Sequence, residues 1–440
     1  TLTVNNSNVI REAIVYLKDT QSNLSDTLKV TQYPEPKWKL NNDKLFAKYD
    51  MTELTHSFEC NIPFDVVFDE EVEWVKLKET KSEDGQFKMV FELQPNTGEF
   101  FNRTKLRLEN EVLGLSFPLS LSQMYKTYDG HTVIWKKPTY NDPFASVPNF
   151  PRITFNFILI GDGFTKEEIE SGVYDLYCQE AMEGMESLEP FKTYSERFGF
   201  ILLHAESAES GCTDYNATYG GPKVVDTRFK CSYDEFGTGM NCDYTAIQEF
   251  VKTSIEGAGL DYIPTQDVVI VMANGKRYGG VANLTKSGEG VAICPVSEEP
   301  FPNNFVQILR HEAGGHAFGK LADEYSFGGP IDASTASYLK SWQEAGMYLN
   351  VSMSSTEFPK PWQELKDRGK ISDVYVGGFS CSGGVWRSSE NSLMKGMDEG
   401  FNILSRYLIY LRMKNLRGEG MDFPAASLDD FLSRDKEDTE

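Results

Sequence analysis

Along roughly the first 145 residues, apolar side chains recur at every second position. Ile62, Phe64, Val66 and Phe68 alternate with other residues, and Phe87, Met89, Phe91 and Leu93 do so after a turn signal at Asp84-Gly85. Leu113, Leu115, Phe117, Leu119 and Leu121 repeat the pattern. A period of two broken by turn residues predicts half-buried antiparallel strands, and hence a small β-sandwich over residues 1–145. The stretch 136–151 (KKPTYNDPFASVPNFP) contains prolines that block helix and ladder alike. It marks the expected boundary with a second domain, residues 146–440.

Beyond that boundary the pattern changes. Ile153 to Ile160 (ITFNFILI), Phe198 to His204 (FGFILLH), Val268 to Met272 (VVIVM) and Val291 to Cys294 read as short, continuously apolar strands. Between them lie helical stretches. Thr165 and Glu168 form a capping box that opens a helix expected to run to about Met185, and Tyr244 to Ile255 predicts another. Continuous apolar strands alternating with helices imply a mostly parallel sheet covered on both faces. The fold class expected is therefore α+β and multidomain, a β-sandwich followed by an α/β domain. From Ser427 onward the chain is acidic and helix-compatible, and reads as a solvated tail.

Composition narrows the function. Sixty-six acidic against 43 basic residues give a formal net charge of −23, which would repel a phosphate backbone and argues against nucleic acid as a partner. No apolar run approaches the ~20 residues needed to span a bilayer. The chain opens at Thr1 with no basic segment followed by an apolar one, as a mature or trimmed secreted or cell-surface protein would. Seven cysteines show no CxxC pair, but Cys212, Cys231 and Cys242 cluster in a Gly/Asp/Tyr-rich stretch. There a disulfide would staple a long loop, the other reading being buried thiols. With only five histidines, any two close together merit inspection. His56 and His131 are isolated and read as surface or loop residues; His204 ends an apolar run and reads as core.

Chemistry concentrates in 303–325, NNFVQILRHEAGGHAFGKLADEY. Asn303 or Asn304 can cap a helix whose apolar face is Phe305, Ile308 and Leu309. His311, Glu312 and His316 follow. A zinc hydrolase needs two imidazoles on one helix face and a carboxylate beside the first to accept a proton from water. The usual HExxH spacing puts its histidines about 40° apart around the helix. Here the spelling is HExxxH, and on a regular α-helix an i, i+5 pair would diverge by about 140° and could not grip one ion. Either these are two surface histidines or the extra residue is absorbed in one wide turn, a π-bulge. Gly314-Gly315 lies where that turn must form, and Glu312 stays adjacent to His311. The metal-site reading is favoured.

The segment HEAGGHAFGKLADEY resembles the active-site signature of the M64 (IgA peptidase) family of zinc metallopeptidases, a metzincin-like group. ILIGDGFTKEEI at Ile158 to Ile169 is similar to the family's opening strand and helix. RYGGVAN at Arg277 to Asn283 resembles the segment near its substrate-binding edge strand. VWRSSENSLM at Val385 to Met394, with Phe401-Asn402, resembles its Met-turn region. The resemblance spans roughly residues 150–420. It implies a Zn2+ cofactor held by His311, His316 and a third ligand soon after the helix, with Glu312 as general base. Gly319 is expected to let the chain turn back after His316. The metzincin spacing would put the third ligand at Ala322, which cannot bind. The LADEY match suggests Asp323 instead, with Glu324 as rival. Met394 would floor the metal, Met397 being close enough to be confused with it, and Tyr325 or Tyr375 are candidates for assisting the oxyanion.

These features point to a secreted zinc endopeptidase acting on a polypeptide or glycoprotein, its substrate lying antiparallel to an edge strand. Two other readings compete. One is a surface glycan- or glycoprotein-binding protein whose peptidase domain is degenerate, suggested by the HExxxH departure and the aromatic-rich N-terminal half. The other is a metal-dependent hydrolase of a non-peptide bond.

Overall fold

In the computed structural model the described residues are 4–7, 10–22, 24–40, 43–83, 85–98, 102–123, 133–141, 154–216, 222–414 and 425–438. The chain is α+β and divides into two compact units, Thr1–Thr127 and Tyr128–Glu440.

In the first unit, β1 (Arg11–Lys18) and β2 (Ser25–Gln32) form a separate hairpin. The others are β3 (Trp38–Lys39), β4 (Lys44–Ala47), β5 (Glu53–Cys60), β6 (Asp65–Phe68), β7 (Val75–Glu83), β8 (Gln86–Leu93), β9 (Asn102–Asn110) and β10 (Leu115–Gln123). They build two four-stranded sheets, ordered β3-β5-β8-β7 and β4-β10-β9-β6. Successive side chains on a strand face opposite ways. Phe87, Met89, Phe91 and Leu93 of β8 therefore point the same way, into one core with Leu106, Leu108, Leu119 and Leu121 of the other sheet. β7 and β8 pair across the expected turn, of which Asp84 lies outside the described residues. His56 lies on β5 and not in a loop, and burial holds its imidazole below the ordinary range. His131 lies outside the described residues, as does 142–151 of the Pro-containing stretch.

The second unit is organised by a six-stranded sheet. Its strands are β11 (Val133–Lys136), β12 (Phe155–Asp162), β13 (Phe198–Leu203), β16 (Val268–Ala273), β17 (Val281–Leu284) and β18 (Gly290–Pro295), in the order β11-β13-β12-β16-β18-β17. The hairpin β14 (Ser232–Tyr233) and β15 (Met240–Asn241) stands outside it. The four central strands are parallel, and the edges β11 and β17 are antiparallel. Each of β12, β13, β16 and β18 is buried along its whole length, as a sheet covered on both faces requires.

The capping box is present: Thr165 accepts from the Glu168 amide, and the Glu168 carboxylate accepts from the Thr165 amide. It opens a short helix only. α1 (Lys166–Glu170) ends before Gly172, whose left-handed backbone (φ 86°) redirects the chain into α2 (Val173–Glu186). The single helix expected to about Met185 is thus two, because a left-handed residue cannot continue a right-handed helix. α3 (Tyr244–Gly257) packs Ile247, Val251 and Ile255 into the core beside the sheet.

After α4 (Phe305–Leu309) and a π-helix come α5 (Ala333–Glu344), β19 (Val351–Ser352), α6 (Lys360–Asp367), β20 (Tyr375–Gly378), β21 (Cys381–Arg387), α7 (Leu393–Gly396), α8 (Ile403–Lys414) and α9 (Ala425–Arg434). α9 is not a solvated tail. Leu428 and Phe431 are buried, and the Phe431 ring lies 4.9 Å from that of Tyr407 and 5.5 Å from that of Tyr410 on α8. Its apolar residues sit three apart, so both reach one face despite the acidic composition.

Candidate metal centre

The Asn304 side chain accepts the Gln307 amide at 3.0 Å and starts α4. At Arg310 the helix widens, and residues Arg310–Phe318 are π-helical. The Gly319 amide reaches back five residues to the Gly314 carbonyl at 2.9 Å. Such a turn is wider than an α-helical one, so residues five apart come onto one face. The HExxxH departure is therefore absorbed, by nine π-helical residues and not by the single wide turn expected. Two close contacts hold this geometry. A Cβ on Gly315 would meet the Met394 sulfur at 2.2 Å, and one on Gly314 would meet Met185 and Phe191 at 3.3 Å. Phe318, at the far end, is packed among Phe155, Phe191 and Phe198 with ring centroids 5.1–5.5 Å away.

His311 Nε2 and His316 Nε2 lie 3.1 Å apart, and each is 3.1 Å from Asp323 Oδ1. His311 Nδ1 faces the Leu393 carbonyl at 3.0 Å, and His316 Nδ1 faces that of Leu321 at 2.7 Å. A carbonyl can only accept, so these bonds assign the ring protons to Nδ1 and turn both Nε2 lone pairs inward. Two imidazole lone pairs and a carboxylate oxygen thus converge on one point. That donor set fits a cation, and His311, His316 and Asp323 form the group among the described residues that could hold a metal. Burial pulls the His316 imidazole down, but Asp323, with a smaller contribution from Glu312, raises it to about 9. Burial likewise raises the Asp323 carboxyl, yet His316 and His311 outweigh it and hold it well below the ordinary range.

The chain turns back toward the histidines at Lys320 (φ 54°), whose buried amine donates to the Ala317 carbonyl at 2.6 Å. Gly319 has ordinary helical angles (φ −69°). Its role is space, not the turn expected of it, since a Cβ there would meet the Gly315 carbonyl at 2.8 Å. Ala322 is buried against Leu339, Val351 and Val385. Glu324 turns away from the histidines. Its buried carboxylate accepts from Asn350, Ser392 and Asn402.

Glu312 is half-buried beside Gly280, where a Cβ would stand 2.9 Å from Glu312 Oε1. Burial pushes its carboxyl above the ordinary range, the imidazoles oppose this, and Asp323 adds to it. Burial and Asp323 push the Tyr325 phenol up. Tyr375 lines a cleft of about 380 Å³ with Ser389, Asn391, Asn402 and Arg406. Of Met394 and Met397, it is Met394 that lies against the π-helix. Met397 instead ends α7, and its carbonyl accepts from Gln307.

Sequence reasoning missed Tyr278, although it lies in the RYGGVAN segment. Burial raises its phenol, and the charges of Glu312 and Asp323 raise it further. It also missed the Leu393 and Leu321 carbonyls, for which no side chain gives a signal. His204 is largely buried, as expected of a core histidine, with its Nε2 2.9 Å from the buried Asp175 Oδ1. Of the clustered cysteines, Cys231 and Cys242 form a disulfide, and the Cys212 thiol donates to the Cys231 carbonyl.

No curated protein matches the chain. Solved structures that match it include domains 4 and 5 of the S-layer protein SbsC (9% identity, 26% of this chain and 58% of that one, TM-score 0.15). An endo-fucoidan hydrolase of glycoside hydrolase family 107 also matches (10%, 36% and 23%, 0.17), as does a family 123 glycoside hydrolase from Clostridium perfringens (10%, 69% and 56%, 0.14). The chain spans less than two thirds of each, and at these scores none bears on fold or chemistry. The family model described as IgA Peptidase M64 matches residues 145–370 and takes in the whole His311–Asp323 cluster. That match covers more than half of the 440 residues, and the chain belongs to the IgA peptidase M64 family.

Proposed function

We propose that this protein is a secreted zinc endopeptidase, with a β-sandwich at its N-terminus and a metzincin-like catalytic domain after it. His311, His316 and Asp323 would hold the ion and Glu312 would be the general base. The observation that carries the reading is the convergence of His311 Nε2, His316 Nε2 and Asp323 Oδ1 at 3.1 Å with Glu312 next to the first of them. When bound there, zinc supplies Lewis acidity toward water and the scissile carbonyl.

The chain's own residues do the rest. Glu312 accepts the proton of the attacking water at a carboxylate oxygen and returns it to the leaving amide nitrogen. Its raised proton affinity suits a group that must take a proton and then give it up. The free side of β17, an antiparallel edge strand, offers main-chain groups to an extended substrate. Gly280, just before that strand, lets backbone approach Glu312 closely. Tyr325, which hydrogen-bonds Asp323, is the phenol suited to donate to a developing oxyanion, with Tyr278 a second candidate. The Cys231–Cys242 disulfide supports an oxidising, extracytoplasmic setting. The π-helix weighs against a degenerate domain, since it brings together histidines that a regular helix would have separated.

The test combines metal content with catalysis. Elemental analysis should find one zinc per chain. Wild type should cleave casein or gelatin, whereas a chelated sample and Glu312→Gln should not, the variant losing on the order of 10²–10⁴ in rate with its zinc intact. Absence of stoichiometric zinc would refute the metal centre. Equal cleavage by variant and wild type would remove Glu312 from the mechanism.

A further inference from the structure

We propose that Glu324 is a positioning residue for the metal centre. Its buried carboxylate ties the loop carrying Asp323 to the turn carrying the hydrogen-bond partner of His311, and so sets the spacing of the three converging atoms. The proposal rests on the reading of that cluster as a metal centre, but its argument concerns the chain alone.

Glu324 is completely buried, and among the described residues no lysine or arginine bonds its carboxylate. Burying a carboxylate that no cation bonds is costly unless hydrogen bonds replace the water it loses. Here they do. Asn350 Nδ2 donates to Oε1 at 3.0 Å and Ser392 Oγ donates to Oε2 at 2.5 Å. Asn402 Nδ2 lies 3.2 Å from both oxygens. These donors come from three separate segments: the loop before β19, the turn entering α7, and the turn entering α8. If the position needed only a side chain of this volume, a neutral one would be cheaper. What a carboxylate adds is acceptance at both oxygens, which lets one group clamp three segments.

The clamp bears on the metal centre from two sides. On one side, the Glu324 amide donates to the Met394 carbonyl at 2.8 Å while its side chain holds Ser392. Leu393 is thus gripped through both neighbours, and its carbonyl is what fixes His311 Nδ1. On the other side, Asn350 bonds Ala322 at both amide and carbonyl, at 2.8 and 2.9 Å, as well as Glu324. Asp323 is thereby fixed through its two neighbours. One buried acid therefore sets both the orientation of the first histidine and the reach of the carboxylate facing it. Groups that orient metal ligands in this way typically contribute about 10–100-fold in affinity.

The test uses Glu324→Gln, Ser392→Ala and the double variant Glu324→Gln/Asn402→Asp. In Glu324→Gln the new amide presents a donor to Asn402, whose side chain also donates there. In the double variant the carboxylate introduced at position 402 becomes the acceptor that the new amide needs. It can still accept the Ser405 amide, which the Asn402 side chain binds now. Two measurements are made: zinc affinity by chelator competition, and amide hydrogen exchange in metal-free protein. Glu324→Gln should weaken zinc about 10–100-fold and speed exchange around residues 322–325 and 392–394. Ser392→Ala should do the same by a few-fold, and the double variant should recover most of both. A purely volumetric role predicts no rescue. Unchanged affinity and exchange in both single variants, or a double variant no better than Glu324→Gln, would overturn the proposal. If Glu324→Gln fails to fold, Ser392→Ala decides it. If wild type binds no zinc, the metal reading falls, and hydrogen exchange still decides whether Glu324 clamps the two loops.

Discussion

Gly315 and Met394 touch where no larger residue than glycine fits: a Cβ on Gly315 would lie 2.2 Å from the Met394 sulfur. The thioether fills the place of the missing side chain, and the π-helical turn between the two histidines rests on it. Gly315→Ala must displace Met394 or tighten the helix. Overpacking of this kind costs about 1–3 kcal/mol. Urea denaturation should show that loss, and chelator competition should show weaker zinc binding. Met394→Ala should relieve the clash in the double variant.

Zinc binding should expel a proton from His316. In metal-free protein that imidazole is raised from 6.5 to about 9. Below pH 9 the metal competes with this proton, so apparent affinity should rise about tenfold per pH unit between 6.5 and 9, then level off. Calorimetry in buffers of different ionisation enthalpy should detect the released proton. Because folding raises the imidazole's proton affinity, its contribution to metal-free stability is complete below pH 6.5 and is lost as pH rises through about 9. Asp323→Asn should remove most of that dependence.

The Cys231–Cys242 disulfide should matter to catalysis and not to metal retention. It closes the β14–β15 hairpin, from whose tip the Thr238 carbonyl accepts the Gly280 amide at 2.9 Å, and Gly280 lies against Glu312. Replacing both cysteines by serine should destabilise the fold by about 3 kcal/mol, given the short loop. It should lower kcat while zinc content stays at one per chain. A variant with unchanged kcat would separate the hairpin from the site.

Phe431→Ala should destabilise the second unit by about 3–5 kcal/mol, since it empties a fully buried aromatic position between Tyr407 and Tyr410. Thermal unfolding would read the loss. A solvated terminal helix would show none.

Local patterns in this chain are legible wherever the physics is local. The alternation at Phe87 to Leu93 and the apolar runs of β12, β13, β16 and β18 predict strands because pleat and burial act on neighbours in sequence. The capping box at Thr165 is likewise a contact between residues three apart. The helix it opens is shorter than the pattern predicts because Gly172 can sit in a helix or break one, and here its backbone is left-handed. The acidic look of α9 hides two apolar residues that share one face.

At the candidate metal centre the division is sharper. The spacing of His311 and His316, with Gly314-Gly315 between them, by itself requires a wide turn if both are to bind one ion, since helix geometry permits no other solution. The choice between Asp323 and Glu324 lay beyond it. Two adjacent carboxylates are equivalent in composition and in distance along the chain, and only the turn at Lys320 decides which faces the imidazoles. Its neighbour then points to Asn350, Ser392 and Asn402, brought from 26, 68 and 78 positions away. The carbonyls that orient the histidines belong to leucines, whose side chains carry no trace of the task. What the sequence determined is which candidate groups are present; which of them meet was decided by long-range packing, because the partners that aim each side chain are neighbours only once the chain has folded.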